Sequence, residues 1–182
     1  MRRHALLPIL CLSLCLGLGL GFGLGLGLPG PAQAASAVTV LDGDTLRIAG
    51  VSYRLHGIDA PEKRQYCRKN GLPWLCGQEA AAYLRGLIGR HAVSCAVRGR
   101  DRYGRMVAVC RAGGLELNRA MVRAGMAWAY RHYARDYEDA ELEAAIAKRG
   151  LWAEGVQAQP AWDWRRGRGK GRSGRNPGLT AF

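Results

Sequence analysis

Histidine is sparse in this chain, acidic residues are few, and the cysteines in the body of the chain lack the spacing of a zinc site. His56, His91 and His132 are scattered, with no serine or cysteine in a nucleophile motif beside them, so they read as structural or surface residues. Among Cys67, Cys76, Cys95 and Cys110 no pair has C-x₂₋₄-C spacing and no matching histidine pair accompanies them, which argues against structural zinc there. Only 14 Asp and Glu stand against 27 Lys and Arg, for a formal net charge of +13 and a pI near 10.1. That balance suits a polyanion such as nucleic acid or an anionic membrane, and names a partner class without naming a reaction. The 182 residues leave room for one domain of about 120–150 residues and no second core.

The first 34 residues have the layout of a secretory signal. Arg2 and Arg3 precede an apolar run from Leu6 to Leu28, then Pro29-Gly30-Pro31 and an Ala32-Gln33-Ala34 cleavage pattern that would leave Ala35 first. The run is long and its Gly-Leu repeat is low-complexity, so an uncleaved membrane anchor is the alternative reading. Cleavage removes Arg2 and Arg3 and no acid, taking the formal charge from +13 to +11, so the basic bias belongs to the working domain. Such a protein is secreted or periplasmic, monomeric, and without stable membrane association once the leader is gone. Cys11 and Cys15 leave with the leader, and the even remainder Cys67, Cys76, Cys95 and Cys110 reads as disulfides.

The domain expected over 35–160 begins with strands at Val38–Leu41, Thr45–Ile48 and Val51–Leu55, a meander broken by Asp42-Gly43-Asp44 and Ala49-Gly50. Pro61 ends this region, a polar loop follows from Lys63 to Gly77, and helical spacing runs from Gln78 to Ile88. Val93–Val97 and Met106–Cys110 flank Arg98–Arg105 as arms of a hairpin. With its turn near Arg102, Cys95 faces Cys110 and Cys67–Cys76 closes the preceding loop, although sequence alone permits three pairings. Two more helices are expected, at 116–124 and 136–149. The fold class is therefore α+β, mainly β: a five-stranded Greek-key barrel of the OB type with three helices. After Asp163 no acid remains, and residues 161–182 read as a disordered Gly/Arg tail. Trp128, Trp152, Trp162 and Trp164 pack the helices or dock that tail.

Cutting a phosphodiester requires neutralising a phosphate, orienting a water, and stabilising charge in the transition state. Asp42 and Asp44 flank a glycine, and Asp59 follows the third strand; acids brought together in this way hold a hard cation such as Ca²⁺ or Mg²⁺. Arg54 and Arg105 offer guanidinium forks for phosphate oxygens. Glu62, three residues beyond Asp59, is placed to orient or deprotonate a water.

Taken together, Val40–Thr45, Tyr53–Glu62, Asp101-Arg102-Tyr103-Gly104-Arg105, Leu117-Asn118 and Val122–Ala127 strongly resemble the staphylococcal nuclease family in order and spacing, over about Val38 to Trp152. That resemblance implies an OB barrel with three helices and a calcium-dependent nuclease that leaves 3′-phosphate ends on DNA and RNA. By the same resemblance, Arg54, Glu62 and Arg105 are catalytic, and Asp44, Asp59 and the Ala60 carbonyl bind one Ca²⁺, with Asp42 behind them. Tyr103 and Tyr130 are similar to the family's tyrosines near the bound nucleotide, with core packing the alternative for Tyr130. The cysteines resemble those of exported bacterial members. The competing class is an OB-fold module that holds nucleic acid without cutting it; a third reading, anchorage at anionic lipid, leaves Asp42, Asp44, Asp59 and Glu62 without a purpose.

Overall fold

The computed structural model describes residues 37–171. The expected leader and the last eleven residues of the basic tail lie outside that range. Three short strands open the fold: β1 (Val38–Val40), β2 (Thr45–Ile48) and β3 (Val51–Leu55), paired antiparallel in sequence order. A two-residue β4 (Ile58–Asp59) follows, then β5 (Cys67–Lys69), β6 (Leu72–Trp74) and helix α1 (Cys76–Ile88). The long hairpin β7 (Val93–Arg100) and β8 (Met106–Ala112) leads through β9 (Leu115–Glu116) into α2 (Leu117–Arg123). The chain then adds β10 (Trp128–Ala129), α3 (Glu138–Ile146), β11 (Val156–Gln157) and α4 (Ala161–Gly171).

The main sheet runs β1-β2-β3-β8-β7, five strands curled in the OB manner, with β9 appended to β8. Its one parallel junction, β3 with β8, sets Arg54 opposite Val107 and brings the end of the meander beside the start of the second hairpin arm. Arg105 immediately precedes β8, so this junction carries the two arginines into one neighbourhood. Leu46, Leu55, Ala108 and Cys110 point inward from the sheet, and Ala80, Leu84, Ile88, Leu117, Met121 and Val122 meet them from α1 and α2. The alternation of inward and outward residues along β8 is why its sequence reads as a half-buried strand.

Asn118 fastens the sheet to α2. Fully buried, its Oδ1 accepts from the Cys110 amide at 3.0 Å, and its Nδ2 donates to the carbonyls of His56 (3.0 Å) and Ala108 (3.2 Å). Asn118→Ala takes this partner from the Cys110 amide and the His56 carbonyl, while the Ala108 carbonyl keeps the His56 amide; we expect a loss of about 3 kcal/mol in a urea unfolding curve.

The structure forms both disulfides, Cys67–Cys76 and Cys95–Cys110. Cys95 and Cys110 are directly opposed in the β7–β8 register, and Cys67–Cys76 ties β5 to the first residue of α1. Two such bonds are typical of an oxidising compartment. No helix among the described residues is long and apolar enough to cross a membrane.

Two segments differ from their sequence reading. The expected polar loop 63–77 contains β5 and β6, which join β11 in a small sheet of order β11-β5-β6. The segment expected to be disordered from residue 161 begins as α4. Ala161 is completely buried and packs with Cys67, Cys76, Trp128 and Leu151, while Trp162 lies partly buried against the same cluster. Burial of these two residues offsets the poor helix propensity of the Gly/Arg sequence that follows.

Candidate functional site

The tight turn Asp42-Gly43-Asp44 between β1 and β2 is closed by Asp42, whose Oδ1 accepts from the Asp44 amide at 3.1 Å. Asp44 thereby points inward, where its Oδ2 accepts from the Ala60 amide at 2.8 Å and its Oδ1 from the Thr45 hydroxyl at 3.1 Å. Asp59 ends β4 with its side chain wholly enclosed. Arg54 lies between these two carboxylates, donating through Nη1 to Asp44 Oδ1 and through Nη2 to Asp59 Oδ1. Desolvation works against its charge, but Asp44 and Asp59 outweigh that and hold the guanidinium firmly protonated. Burial is the main force raising the Asp44 carboxyl above its usual range; Arg54 opposes the shift and Asp42 adds to it.

Among the described residues no three Asp, Glu, His or Cys side chains converge into a ready cation cage. The donor chemistry nevertheless fits a hard divalent cation. Asp44 and Asp59 are enclosed carboxylates that both reach Arg54, and paired hard oxygen donors of this kind suit such an ion.

Glu62 stands at the edge of this acid pair, about one-third exposed. Gln65 sets its backbone: the fully buried Gln65 side chain accepts from the Glu62 amide at 3.1 Å and donates to the Gln159 carbonyl at 2.6 Å, and the Gln65 amide donates to the Glu62 carbonyl at 2.7 Å. The start of α1 presses on the same peptide. A Cβ on Gly77 would sit 1.8 Å from the Glu62 carbonyl oxygen, so any larger residue must push that backbone aside. We expect Gly77→Ala to cost about 2 kcal/mol of stability and to lower kcat more than it raises KM, as seen by comparing melts with steady-state rates.

Arg105 is held from behind. Its Nε donates to Asp101 Oδ2 at 2.7 Å and its amide to Asp101 Oδ1 at 3.0 Å, while Nη1 reaches the Thr45 hydroxyl at 3.4 Å. Desolvation is the largest single influence on the Asp101 carboxyl and raises it, but the bonds and charge of Arg105, with the Tyr103 amide, together outweigh it and keep the group below its ordinary value. With Nε occupied, the terminal nitrogens are left to address a ligand.

A groove of about 1160 Å³ runs over these residues, bounded by Asp42, Arg54, Glu62, Arg105, Tyr103 and Tyr130 among others. Arg47, Arg98, Arg100 and Arg102 extend its basic lining. Tyr103 is 69% exposed at the tip of the β7–β8 hairpin, with the Arg105 guanidinium 5.5 Å from its ring centre. Tyr130 also borders the groove and is stacked on Trp162 at 5.5 Å between ring centres. Asp44 and Asp59 do not line the groove themselves and meet it through Arg54, which does.

Two residues at this site carry no signal in the sequence. Gln65 is an unremarkable polar residue in a loop until its backbone partners are known. Arg165, from α4, sits on Asp59 and Glu62.

A family profile described as "Staphylococcal nuclease homologue" matches residues 52–154. An uncharacterized endonuclease of Escherichia coli O157:H7 is 38% identical over 135 residues, spanning 70% of this chain and 82% of that protein. An uncharacterized endonuclease of Haemophilus influenzae is 37% identical, spanning 71% of each chain. A micrococcal nuclease of Shigella flexneri is 36% identical over 146 residues, spanning 71% of this chain and 78% of its own.

Proposed function

The chain belongs to the staphylococcal nuclease family, and from that premise we propose that it is an exported, calcium-dependent nuclease acting on DNA and RNA to leave 3′-phosphate ends. The observation that carries this reading is the meeting of Arg54, Glu62 and Arg105 at one basic groove above two enclosed carboxylates. A module that only holds nucleic acid has no need for buried acids beneath its arginines.

In this proposal Asp44, Asp59 and the Ala60 carbonyl hold one Ca²⁺, and Asp42 fixes the turn that presents Asp44. When bound, that ion supplies Lewis-acid neutralisation of a phosphate oxygen. Arg54 then turns one nitrogen from the acids to the phosphate, and Arg105 grips it with the terminal nitrogens that Asp101 leaves free. Glu62 orients a water and takes its proton as the water oxygen attacks phosphorus. The bond from phosphorus to the 5′ oxygen breaks, the 5′ oxygen takes up a proton from solvent, and the phosphate stays on the 3′ side. Tyr103 and Tyr130 border the strand, and the exposed Arg47, Arg98 and Arg100 meet neighbouring phosphates.

The same proposal takes residues 1–34 as a cleaved signal and 35–160 as the nuclease domain, working as a monomer outside the cytoplasm, where its disulfides persist. End-group analysis tests the chemistry. Digestion of single-stranded DNA in calcium should give fragments that accept a 5′ label directly and resist 3′ extension until treated with a phosphatase; fragments with free 3′ hydroxyls would contradict the assignment of the broken bond.

A further inference from the structure

Arg165 lies eleven residues beyond the end of the family match at 154, yet its guanidinium is seated on two acids of the site, Asp59 and Glu62. Nη1 donates to Asp59 Oδ1 at 3.0 Å and to Glu62 Oε1 at 2.8 Å, and Nη2 donates to Asp59 Oδ2 at 2.9 Å. Both oxygens of Asp59 are thus engaged by one fork. Desolvation disfavours the charge on Arg165, but the bonds to Asp59 and Glu62 outweigh it and hold it protonated.

The helix that delivers this residue is anchored elsewhere. Ala161 is fully buried against Cys67, Cys76, Trp128 and Leu151, and Trp162 packs edge-on to Trp128 and stacks on Tyr130. Arg165 follows Ala161 by four residues and Trp162 by three, so it lies on the same face of α4 and is aimed into the site by that packing. The side chain is nevertheless 40% exposed, so it is free to swing outward without unseating the helix.

We propose that Arg165 is a built-in, displaceable counter-ion: it occupies the outer face of Asp59 and holds Glu62 beside it until a divalent cation takes its place. This rests on the cation site proposed above. Calcium approaches carboxylate oxygens to about 2.3–2.6 Å, and the Arg165 nitrogens already contact the same oxygens at 3.0 and 2.9 Å. Asp59 is already shared by Arg54 and Arg165, so a divalent cation would add a third positive centre on one carboxylate in a water-poor site, and Arg165, the more exposed of the two arginines, is the one placed to leave. Asp59 has no exposed surface of its own, whereas Arg54, Glu62 and Arg165 all border the groove, so a cation from the groove reaches Asp59 only by displacing one of these contacts. Arg165 therefore favours the metal-free site and weakens calcium binding by the same contact, and its release frees Glu62 to address water.

The test is calcium affinity by titration calorimetry, with thermal unfolding in parallel, on the chain Ala35–Phe182, which contains every described element. Arg165→Gln is compared with wild type and with Arg166→Gln, which removes the same charge from the next position, where the partner is Asp163 on the same helix. The expected result is calcium binding about tenfold tighter in Arg165→Gln, within the usual range of coupling between competing ligands. Its metal-free Tm should be lower than wild type and its calcium-induced rise in Tm larger, with Arg166→Gln unchanged in affinity. Equal calcium affinity in wild type and Arg165→Gln overturns the inference while leaving the cation site standing. An equal gain in Arg166→Gln also overturns it, by making the effect one of general charge. Absence of calcium binding in all three overturns both the inference and the cation site.

Discussion

Arg105→Ala should lower kcat for single-stranded DNA by about 10³-fold or more, roughly 4 kcal/mol of transition-state stabilisation, with a much smaller change in KM. Asp101 occupies Nε and the backbone amide of Arg105 and so leaves the terminal nitrogens to a phosphate. Such a fork gains most when phosphate charge grows in the transition state, and little in the ground state, where the other groove arginines already attract the strand. Arg105→Lys retains the positive charge but cannot make the Asp101 contact and grip phosphate with a planar fork together. We expect it to recover less than one-tenth of the lost rate. Full recovery by lysine, measured as kcat at saturating DNA, would reduce the role of Arg105 to general attraction.

Glu62→Gln should lower kcat by about 10³-fold, within the range attributed to a positioned general base. Calcium affinity should change little by comparison, because the proposed cation ligands are Asp44, Asp59 and the Ala60 carbonyl. Glutamine is nearly isosteric, and the backbone at residue 62 is fixed by Gln65 and by the close approach of Gly77, neither of which the substitution disturbs. What is lost is the capacity to accept a proton from water. The rate of the glutamine variant should consequently rise with hydroxide concentration over a range where wild type is flat; a variant with wild-type kcat would remove Glu62 from proton transfer altogether.

The residues that meet at the groove were legible in the sequence because each has a side chain whose chemistry is costly without a purpose. Asp42 and Asp44 around a glycine, Arg54 in an apolar strand and Glu62 beyond a proline are local patterns, and the meander and hairpin that carry them follow from alternation. The Cys95–Cys110 bond was legible for the same reason, since a hairpin turn near Arg102 puts those positions opposite each other. The remainder depends on contacts distant in sequence. β5 reads as Cys-Arg-Lys and β6 as Leu-Pro-Trp, too short and too polar to show a period, and β5 is completed by pairing Arg68 with Gln157 and Lys69 with Val156. Helix α4 has the composition of a disordered tail and is held by Ala161 and Trp162 against partners 10 to 94 residues earlier in the chain. The helix expected at 136–149 stops at Ile146, where the chain turns through Lys148 and Gly150, both with positive φ. Arg165 was hidden by the same tail composition, because nothing local distinguishes it from Arg166 or Arg168.

As proposed, the groove differs from a binding module in cutting nucleic acid, with a cation on the buried acids, rather than merely holding it. The most direct measurement is cleavage of denatured DNA by the chain Ala35–Phe182 in calcium and in excess chelator, with DNA binding followed in parallel by fluorescence anisotropy. We expect rapid cleavage in calcium, none in chelator, and retention of DNA by the basic groove in both. Retention without cleavage in calcium, with both disulfides formed, would contradict the proposal and leave a nucleic-acid-binding OB fold.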